Sequence, residues 1–268
     1  MNRKRETELL RCHVLQKSRT YVLAHPELKL TEAQNTELTM LLQRREQGEP
    51  IAYLVGKRGF WKHDFNVTPA TLIPRPETEL IIEATLQHLD TGKPARILDL
   101  GTGSGIIAIS LALESPFWQV MGLDQSQDAL EIARANARSL QAVNVSFLKS
   151  DWFSALDDHF HGNTHGFDLI ASNPPYIAEH DPHLTQGDLR FEPSKALSSG
   201  KDGLQDLRRI IHAAPYFLKH NGWLILEHGY DQQKPVQDLL KQAGFSEVQT
   251  LTDLNGHPRT SLGRWRQP

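Results

Sequence analysis

The sequence predicts an α/β fold: a mostly parallel sheet covered by helices on both faces, ended by an antiparallel hairpin and preceded by a small helical region. Three observations carry this prediction. From residue 95 onward, short apolar runs alternate with helix-like segments. Near the end, Asn255-Gly256 separates two runs of strand character, as a tight hairpin turn does. Before residue 50, apolar positions recur at helical spacing instead.

Taken in order, residues 6–45 place Leu9, Leu10, Val14 and Leu15, then Leu38, Leu41 and Leu42, at helical intervals. Pro26 interrupts the pattern and Thr31-Glu32 restarts it, which predicts two or more short helices. Gly48-Glu49-Pro50 closes the region. Residues 51–76 differ: Phe60, Trp61, Phe65 and Val67 suggest a hairpin, followed by Leu72-Ile73-Pro74-Arg75-Pro76. Pro76 and the acidic residues after it suit the start of a helix over 77–89. Strands are predicted at 97–100, 120–124, 145–148, 168–172 and 223–227, with helices at 106–113, 127–139, 202–218 and 232–242. Runs 248–254 and 259–265 form the closing hairpin. The expected division is a helical domain over 1–50, a hairpin connector over 51–76 and the α/β domain over 77–268.

A chain of 268 residues, 39% hydrophobic, can bury one large core and a smaller appendage. A formal net charge of −3 gives no global pull toward nucleic acid or a membrane. Arg3, Lys4, Arg5, Arg11, Lys17 and Arg19 form either a solvated helix face or a local patch for an acidic partner. A single cysteine, Cys12, excludes an intramolecular disulfide, and its apolar helical setting suggests core packing. No run is long enough to span a membrane, and no apolar signal core follows the basic start. A soluble cytoplasmic protein is expected. His159, His161 and His165 cluster among Gly162, Asn163 and Gly166, which reads as an exposed loop; no metal is expected.

Asn173-Pro174-Pro175-Tyr176 is the most informative segment, directly after an apolar strand-like run. Prolines lack a backbone N–H and fix φ, so they end the strand and hold a rigid extended loop. The carbonyls, the Asn173 amide and the Tyr176 ring together suit a small planar –NH2 group, which points to chemistry on a nitrogen. A nucleobase amine and a carboxamide both satisfy that description.

Asp99-Leu100-Gly101-Thr102-Gly103-Ser104-Gly105 lies between the first strand of the alternating region and its helix. Glycines there admit positive φ and a close ligand, and the helix start offers N–H donors. The dinucleotide pattern G-x-G-x-x-G is not met, because Ile106 stands at its third glycine. The spacing G-x-G-x-G after an acid resembles the first motif of class I S-adenosylmethionine-dependent methyltransferases; a purely structural turn is the alternative. Asp124 ends the next strand, where a carboxylate either accepts ribose hydroxyls or caps the following helix. Asp151-Trp152 follows the third strand, and the indole there either lies on an adenine face or packs in the core.

With these pieces in order, the chain resembles the PrmC/HemK family of protein-glutamine N5-methyltransferases over nearly its whole length. Gly48-Glu49-Pro50-Ile51-Ala52-Tyr53 and Phe60-Trp61 with Phe65 resemble the family's connector. Leu72-Ile73-Pro74-Arg75-Pro76-Glu77-Thr78-Glu79 matches its most distinctive string, and Asn173-Pro174-Pro175-Tyr176 its substrate motif. Leu226-Glu227-His228-Gly229-Tyr230-Asp231-Gln232-Gln233 matches its late strand and turn.

The resemblance implies a Rossmann-like class I methyltransferase sheet of seven strands. It implies methyl transfer from S-adenosyl-L-methionine to the glutamine of the Gly-Gly-Gln motif in class I peptide chain release factors, in support of translation termination, with no direct nucleic-acid substrate. Gly101, Thr102, Gly103, Ser104 and Gly105 would bind the methionine end of the cofactor, Asp124 its ribose and Trp152 its adenine. Asn173 would stand between cofactor and substrate. With Pro174 it would be catalytic, the Asn173 side-chain oxygen and the Pro174 carbonyl each accepting one N–H of the glutamine amide. Pro175 and Tyr176 would complete the glutamine site, and residues 74–78 would cover the cofactor. The chain departs from the family pattern at residues 159–165, which lengthen the loop before the fourth strand and bear on contacts near Asp157 and Asp158.

Overall fold

The computed structural model describes residues 3–156 and 166–267. Helices α1 (Arg3–Leu15), α2 (Arg19–Ala24) and α3 (Glu32–Glu46) form the N-terminal region. Thr31 begins α3 with a reciprocal capping box: its hydroxyl accepts the Gln34 N–H at 3.2 Å, and the Gln34 side chain accepts the Thr31 N–H at 2.9 Å. Leu10, Val14 and Leu41 bury their side chains together with Leu54. Leu54 lies on α4 (Ile51–Val55), a short helix where the sequence suggested the start of a hairpin region. The aromatic and β-branched composition misled there, because burial of Ala52, Tyr53 and Leu54 against two clusters outweighs local propensity.

The hairpin is confined to β1 (Lys57–Phe60) and β2 (His63–Asn66), paired antiparallel with Phe60 opposite His63. Trp61 turns the corner at φ 53°, and its indole N–H donates to Glu114 at 2.6 Å. At the other end, the Asn66 N–H donates to Asn136 Oδ1 at 2.8 Å, and Asn136 Nδ2 donates to the Ser104 carbonyl at 2.9 Å. The connector is thereby tied directly to the glycine loop.

The α/β domain opens with a 3-10 turn at Pro76–Thr78 leading into α5 (Glu79–His88). There follow β3 (Ala95–Leu100), α6 (Ile106–Glu114), β4 (Trp118–Asp124), α7 (Gln127–Ser139), β5 (Val145–Lys149) and β6 (Phe167–Ser172). The chain ends with α8 (Gln205–Phe217), β7 (Leu218–Glu227), α9 (Gln233–Gln242), β8 (Phe245–Thr252) and β9 (Pro258–Trp265). The seven-stranded sheet has the order β5-β4-β3-β6-β7-β9-β8. Its strands from β5 to β7 run parallel, and β9 is antiparallel to both β7 and β8. Asn255 and Gly256 lie in the turn between β8 and β9.

Alternation along the strands feeds two cores. Ile97, Val120, Leu169 and Ile225 face one side, against α5, α6 and α7. Leu98, Leu100, Ile170, Leu224 and Leu226 face the other, against α8 and α9. Strand β7 begins earlier than the apolar run at 223–227 suggests, because Leu218 pairs with Phe167 across a register shift. Asn221, at φ 67°, lies within that irregular stretch.

The central pair β3 and β6 is parallel, with Leu100 opposite Ser172. From β3 the chain crosses to β4 on one side, and from β6 to β7 on the other. The two loops that leave their C-terminal ends therefore flank a crevice, the usual ligand position in an open α/β sheet.

Candidate active site

The crevice is a cleft of about 780 Å³. Gly101, Thr102, Gly103, Ser104, Asp124, Trp152, Asn173 and Pro175 line it, so residues from four strand ends converge on one space. Gly105, Pro174 and Tyr176 stand outside that lining. Ser172 joins the two central strands at its rim by donating its hydroxyl to the Leu100 carbonyl at 2.7 Å.

The glycine loop is held from beneath. Gly101, Gly103 and Gly105 have φ of 69°, 55° and 84°, a region an L side chain seldom adopts. A Cβ at Gly105 would stand 2.7 Å from Ile109 Cδ1, so the helix packs directly against this glycine. Asp99, fully buried, accepts the Thr102 hydroxyl at 2.6 Å and the Ala108 N–H at 3.1 Å. Burial pushes its carboxyl up to about 7, against the lowering effect of those donors. The Ser104 hydroxyl is buried without a hydrogen-bond partner.

Asp124 accepts the Gly103 N–H at 2.9 Å and the Ser126 N–H at 2.8 Å, one on each oxygen. Burial raises its pKa, and the backbone donors oppose that rise. Capping of α7 falls to Ser126, whose hydroxyl accepts the Ala129 N–H. Asp124 is therefore free of the capping role and lies on the cleft wall. Trp152, half-buried, also lines the cleft, and its indole N–H donates to Asp206 at 3.1 Å. Ser199 donates to the second Asp206 oxygen at 2.8 Å, which steadies the indole's anchor.

Opposite the glycine loop, Asn173 donates its side-chain N–H to the Thr78 hydroxyl at 3.1 Å. Tyr176 donates its phenol to Glu227 Oε1 at 3.1 Å, and its carbonyl accepts from Gln232 at 2.9 Å. Burial pushes Glu227 up to about 7, opposed by the Thr78 and Tyr176 hydroxyls and the Arg259 charge. Burial likewise pushes the Tyr176 phenol up.

Glu192, 6% exposed, braces the segment that leads into the 74–78 stretch. It accepts the Ile73 N–H at 3.0 Å and pairs with the Arg75 guanidinium. Burial raises its pKa, with Arg75 pulling the other way. Pro74, Arg75 and Thr78 line the cleft, so the 74–78 stretch stands over it.

Sequence reading did not single out Glu192, Asp206 or Glu227 as site residues. Glu227 stood in the string over residues 226–233 that resembles the family's late strand and turn, with no role attached to it. Asp206 and Glu192 carried no local signal. Cys12 is half-buried rather than a core residue, because α1 turns it away from Leu10 and Val14. In the basic N-terminal group, Arg3 pairs with Glu46 at 2.5 Å, Arg19 with Glu8 at 2.8 Å, and Arg11 donates to the Leu28 carbonyl. Asp157, Asp158, His159, His161 and His165 lie outside the described residues. Among the described residues no helix is long and apolar enough to cross a membrane, and no group of three or more His, Cys, Asp or Glu side chains is placed to hold a metal ion.

Residues 92–255 match the family model of a methyltransferase domain, and residues 2–56 match that of a PrmC N-terminal domain. The release factor glutamine methyltransferase of Salmonella typhimurium is 47% identical over 98% of this chain and 92% of its own. That of Yersinia pestis is 48% identical over 98% of this chain and 92% of its own. Among solved structures, a methyltransferase from Pyrococcus furiosus superposes with a TM-score of 0.56 at 19% identity, over 85% of this chain and 98% of that one, a likeness of fold.

Proposed function

The chain belongs to the release factor glutamine methyltransferases, and from that premise we propose a residue-level account of its reaction. The enzyme moves a methyl group from S-adenosyl-L-methionine to the side-chain amide nitrogen, N5, of the glutamine in the Gly-Gly-Gln motif of class I peptide chain release factors. The observation that carries the proposal is the convergence of residues 101–104 with Asn173 and Pro175 of the proline corner on one cleft.

The residues fit the cofactor. Gly103 lines the cleft and a Cβ there would meet nothing within 4 Å, so the loop leaves open space at that position. Residues 101–105 would hold the methionine end, the Asp124 carboxylate the ribose hydroxyls and the Trp152 ring the adenine. S-adenosylmethionine supplies a methyl group on a positively charged sulfonium, so the protein needs no covalent nucleophile.

A carboxamide nitrogen is a poor nucleophile because its lone pair is delocalised into the carbonyl. The protein's task is therefore orientation. Asn173 donates its N–H to Thr78, which leaves its side-chain oxygen as the acceptor toward the cleft. That oxygen and the Pro174 carbonyl accept the two amide hydrogens and turn the lone pair toward the methyl carbon. Pro175 and Tyr176 complete the wall around the glutamine side chain. Orienting both reactants can supply as much as about 7–11 kcal/mol. A neutral hydrogen bond nets only about 0.5–1.5 kcal/mol, so placement outweighs bond strength. The methylated nitrogen then loses its extra proton to water.

Mass spectrometry of a purified release factor, after incubation with the enzyme and S-adenosylmethionine, tests this directly. The expected result is one added methyl group on the glutamine of Gly-Gly-Gln. An unmodified glutamine, or a methyl group elsewhere, overturns the reading.

A further inference from the structure

Gln232 is the cap residue of α9 and is 8% exposed, yet its side chain makes no capping bond to that helix. Its carboxamide joins three backbone groups instead. Oε1 accepts the Gly229 N–H at 2.9 Å. Nε2 donates to the Tyr176 carbonyl at 2.9 Å and to the Gly203 carbonyl at 3.4 Å. A backbone N–H can only donate and a carbonyl can only accept, so these partners fix which end of the amide points where.

The groups around this amide are themselves held. The Gly229 carbonyl accepts the Gln232 N–H at 2.9 Å and lies 2.8 Å from Nδ1 of the fully buried His228 ring. The other ring nitrogen, Nε2, is 2.8 Å from the Ser261 hydroxyl on β9, so the 228–232 turn is anchored to the sheet. Gly203, at φ 73°, approaches closely from the other side. A Cβ there would stand 2.3 Å from the Tyr176 carbonyl oxygen and 2.8 Å from Gln232 Nε2. That space is taken by the clamp.

The Tyr176 carbonyl closes the far end of the proline corner. At the near end, Ser172 pairs with Leu226 across the sheet and donates its hydroxyl to the Leu100 carbonyl. Between the two ends, Pro174 and Pro175 have no backbone N–H with which to hold themselves, and their rings keep φ at about −65°. A displacement of Tyr176 is therefore passed back along a stiff segment to the Pro174 carbonyl.

We propose that Gln232 is a positioning residue for methyl transfer: it clamps the Tyr176 carbonyl to the 228–232 turn and so fixes the direction in which the Pro174 carbonyl faces the acceptor nitrogen. This rests on the reading that the Pro174 carbonyl accepts a hydrogen of the glutamine amide. Gln232 lies outside the cleft lining and acts through the Tyr176 backbone.

The test compares Gln232→Glu, Gln232→Met, Gly203→Ala and the double variant Gln232→Met/Gly203→Ala with wild type. Steady-state methylation of a purified release factor and calorimetric binding of S-adenosylmethionine are both measured. Gln232→Glu keeps the oxygen that takes the Gly229 N–H but loses the donors toward the two carbonyls. Gln232→Met loses all three bonds at similar length. Both are expected to lower kcat by about 10- to 100-fold while cofactor affinity stays within about twofold. The double variant should fall little further than its worse single one, because both changes displace the same carbonyl. Wild-type kcat in Gln232→Glu overturns the clamp, since the Gly229 bond alone would then suffice. Additive losses in the double variant overturn it as well. Cofactor affinity that falls in step with kcat also overturns it, by making the role generally structural. Failure of the wild-type enzyme to methylate the glutamine overturns the functional reading, and this inference with it.

Discussion

The two sides of the cleft are built in different ways. The glycine loop is fastened by near neighbours: Thr102 to Asp99, three residues away, Ala108 to Asp99, nine away, and Gly103 to Asp124 on the adjacent strand, 21 away. The Asn173-Pro174-Pro175-Tyr176 corner is fastened from afar. Asn173 reaches Thr78 across 95 residues, and Tyr176 reaches Glu227 across 51 and Gln232 across 56. A loop closed by its own strand–turn–helix unit and by the next strand and helix, through Asp124 and Asn136, needs only that half of the sheet in place. A corner closed by distant side chains has its shape only when the whole domain is assembled. The cofactor side should therefore answer to changes in its own residues, and the acceptor side to remote ones as well.

The largest expected effect separates the two sides outright. Asn173→Ala removes the acceptor oxygen and should reduce methyl transfer to a release factor by at least about 100-fold, with S-adenosylmethionine affinity nearly unchanged. Turnover near wild type would remove Asn173 from the reaction. The converse change, Asp124→Ala, should weaken cofactor binding by about 10- to 100-fold, the worth of charge-assisted hydrogen bonds, while the rate at saturating cofactor is largely kept. Unchanged calorimetric affinity would take the ribose role from Asp124.

A remote change sharpens the contrast. Gly203 has φ 73°, and a Cβ there would stand 2.3 Å from the Tyr176 carbonyl. Gly203→Ala must therefore shift the corner backbone although it lies outside the cleft lining. A fall in kcat of about tenfold with unaltered cofactor affinity is expected. Equal losses in both would show that the two sides are not independent.

The smallest effect is on stability. Asp99 and Glu227, one under each side, are both pushed up to about 7 by burial. The folded chain thus holds protons that the unfolded chain releases near pH 4. Their contribution is fully present below that pH, falls as pH rises, and is lost once pH passes through about 7. Thermal unfolding should show Tm declining from pH 5 to pH 8. In Asp99→Asn the decline should lose about half of the part due to this pair. An identical slope in the variant would mean that Asp99 is ionised throughout.

Legibility in the sequence follows the same division. The glycine loop, the acid after the second strand and the proline corner are contiguous or lie at strand ends, so strand–helix alternation was enough to bring them to one edge. The strand and helix assignments held for the same reason: periodicity reports which face of each element is buried. Helix α4 was missed because Leu54 and Tyr53 are buried by partners from two different clusters, which residues 51–55 do not reveal. Glu192 was missed because its partners, Ile73 and Arg75, lie 119 and 117 residues away.

By itself, the sequence determined the sheet, the loop that faces its open end and the type of group that the Asn-Pro-Pro-Tyr corner suits. Those are properties of short segments, where backbone sterics and side-chain periodicity act within a few residues. Only the tertiary structure decided which end of the Asn173 amide faces the cleft, that Asp124 leaves the helix cap to Ser126, and that a buried carboxylate stands beneath the corner. Each of these depends on where a hydrogen-bond partner from another part of the chain comes to rest, and spacing along the sequence does not encode that distance.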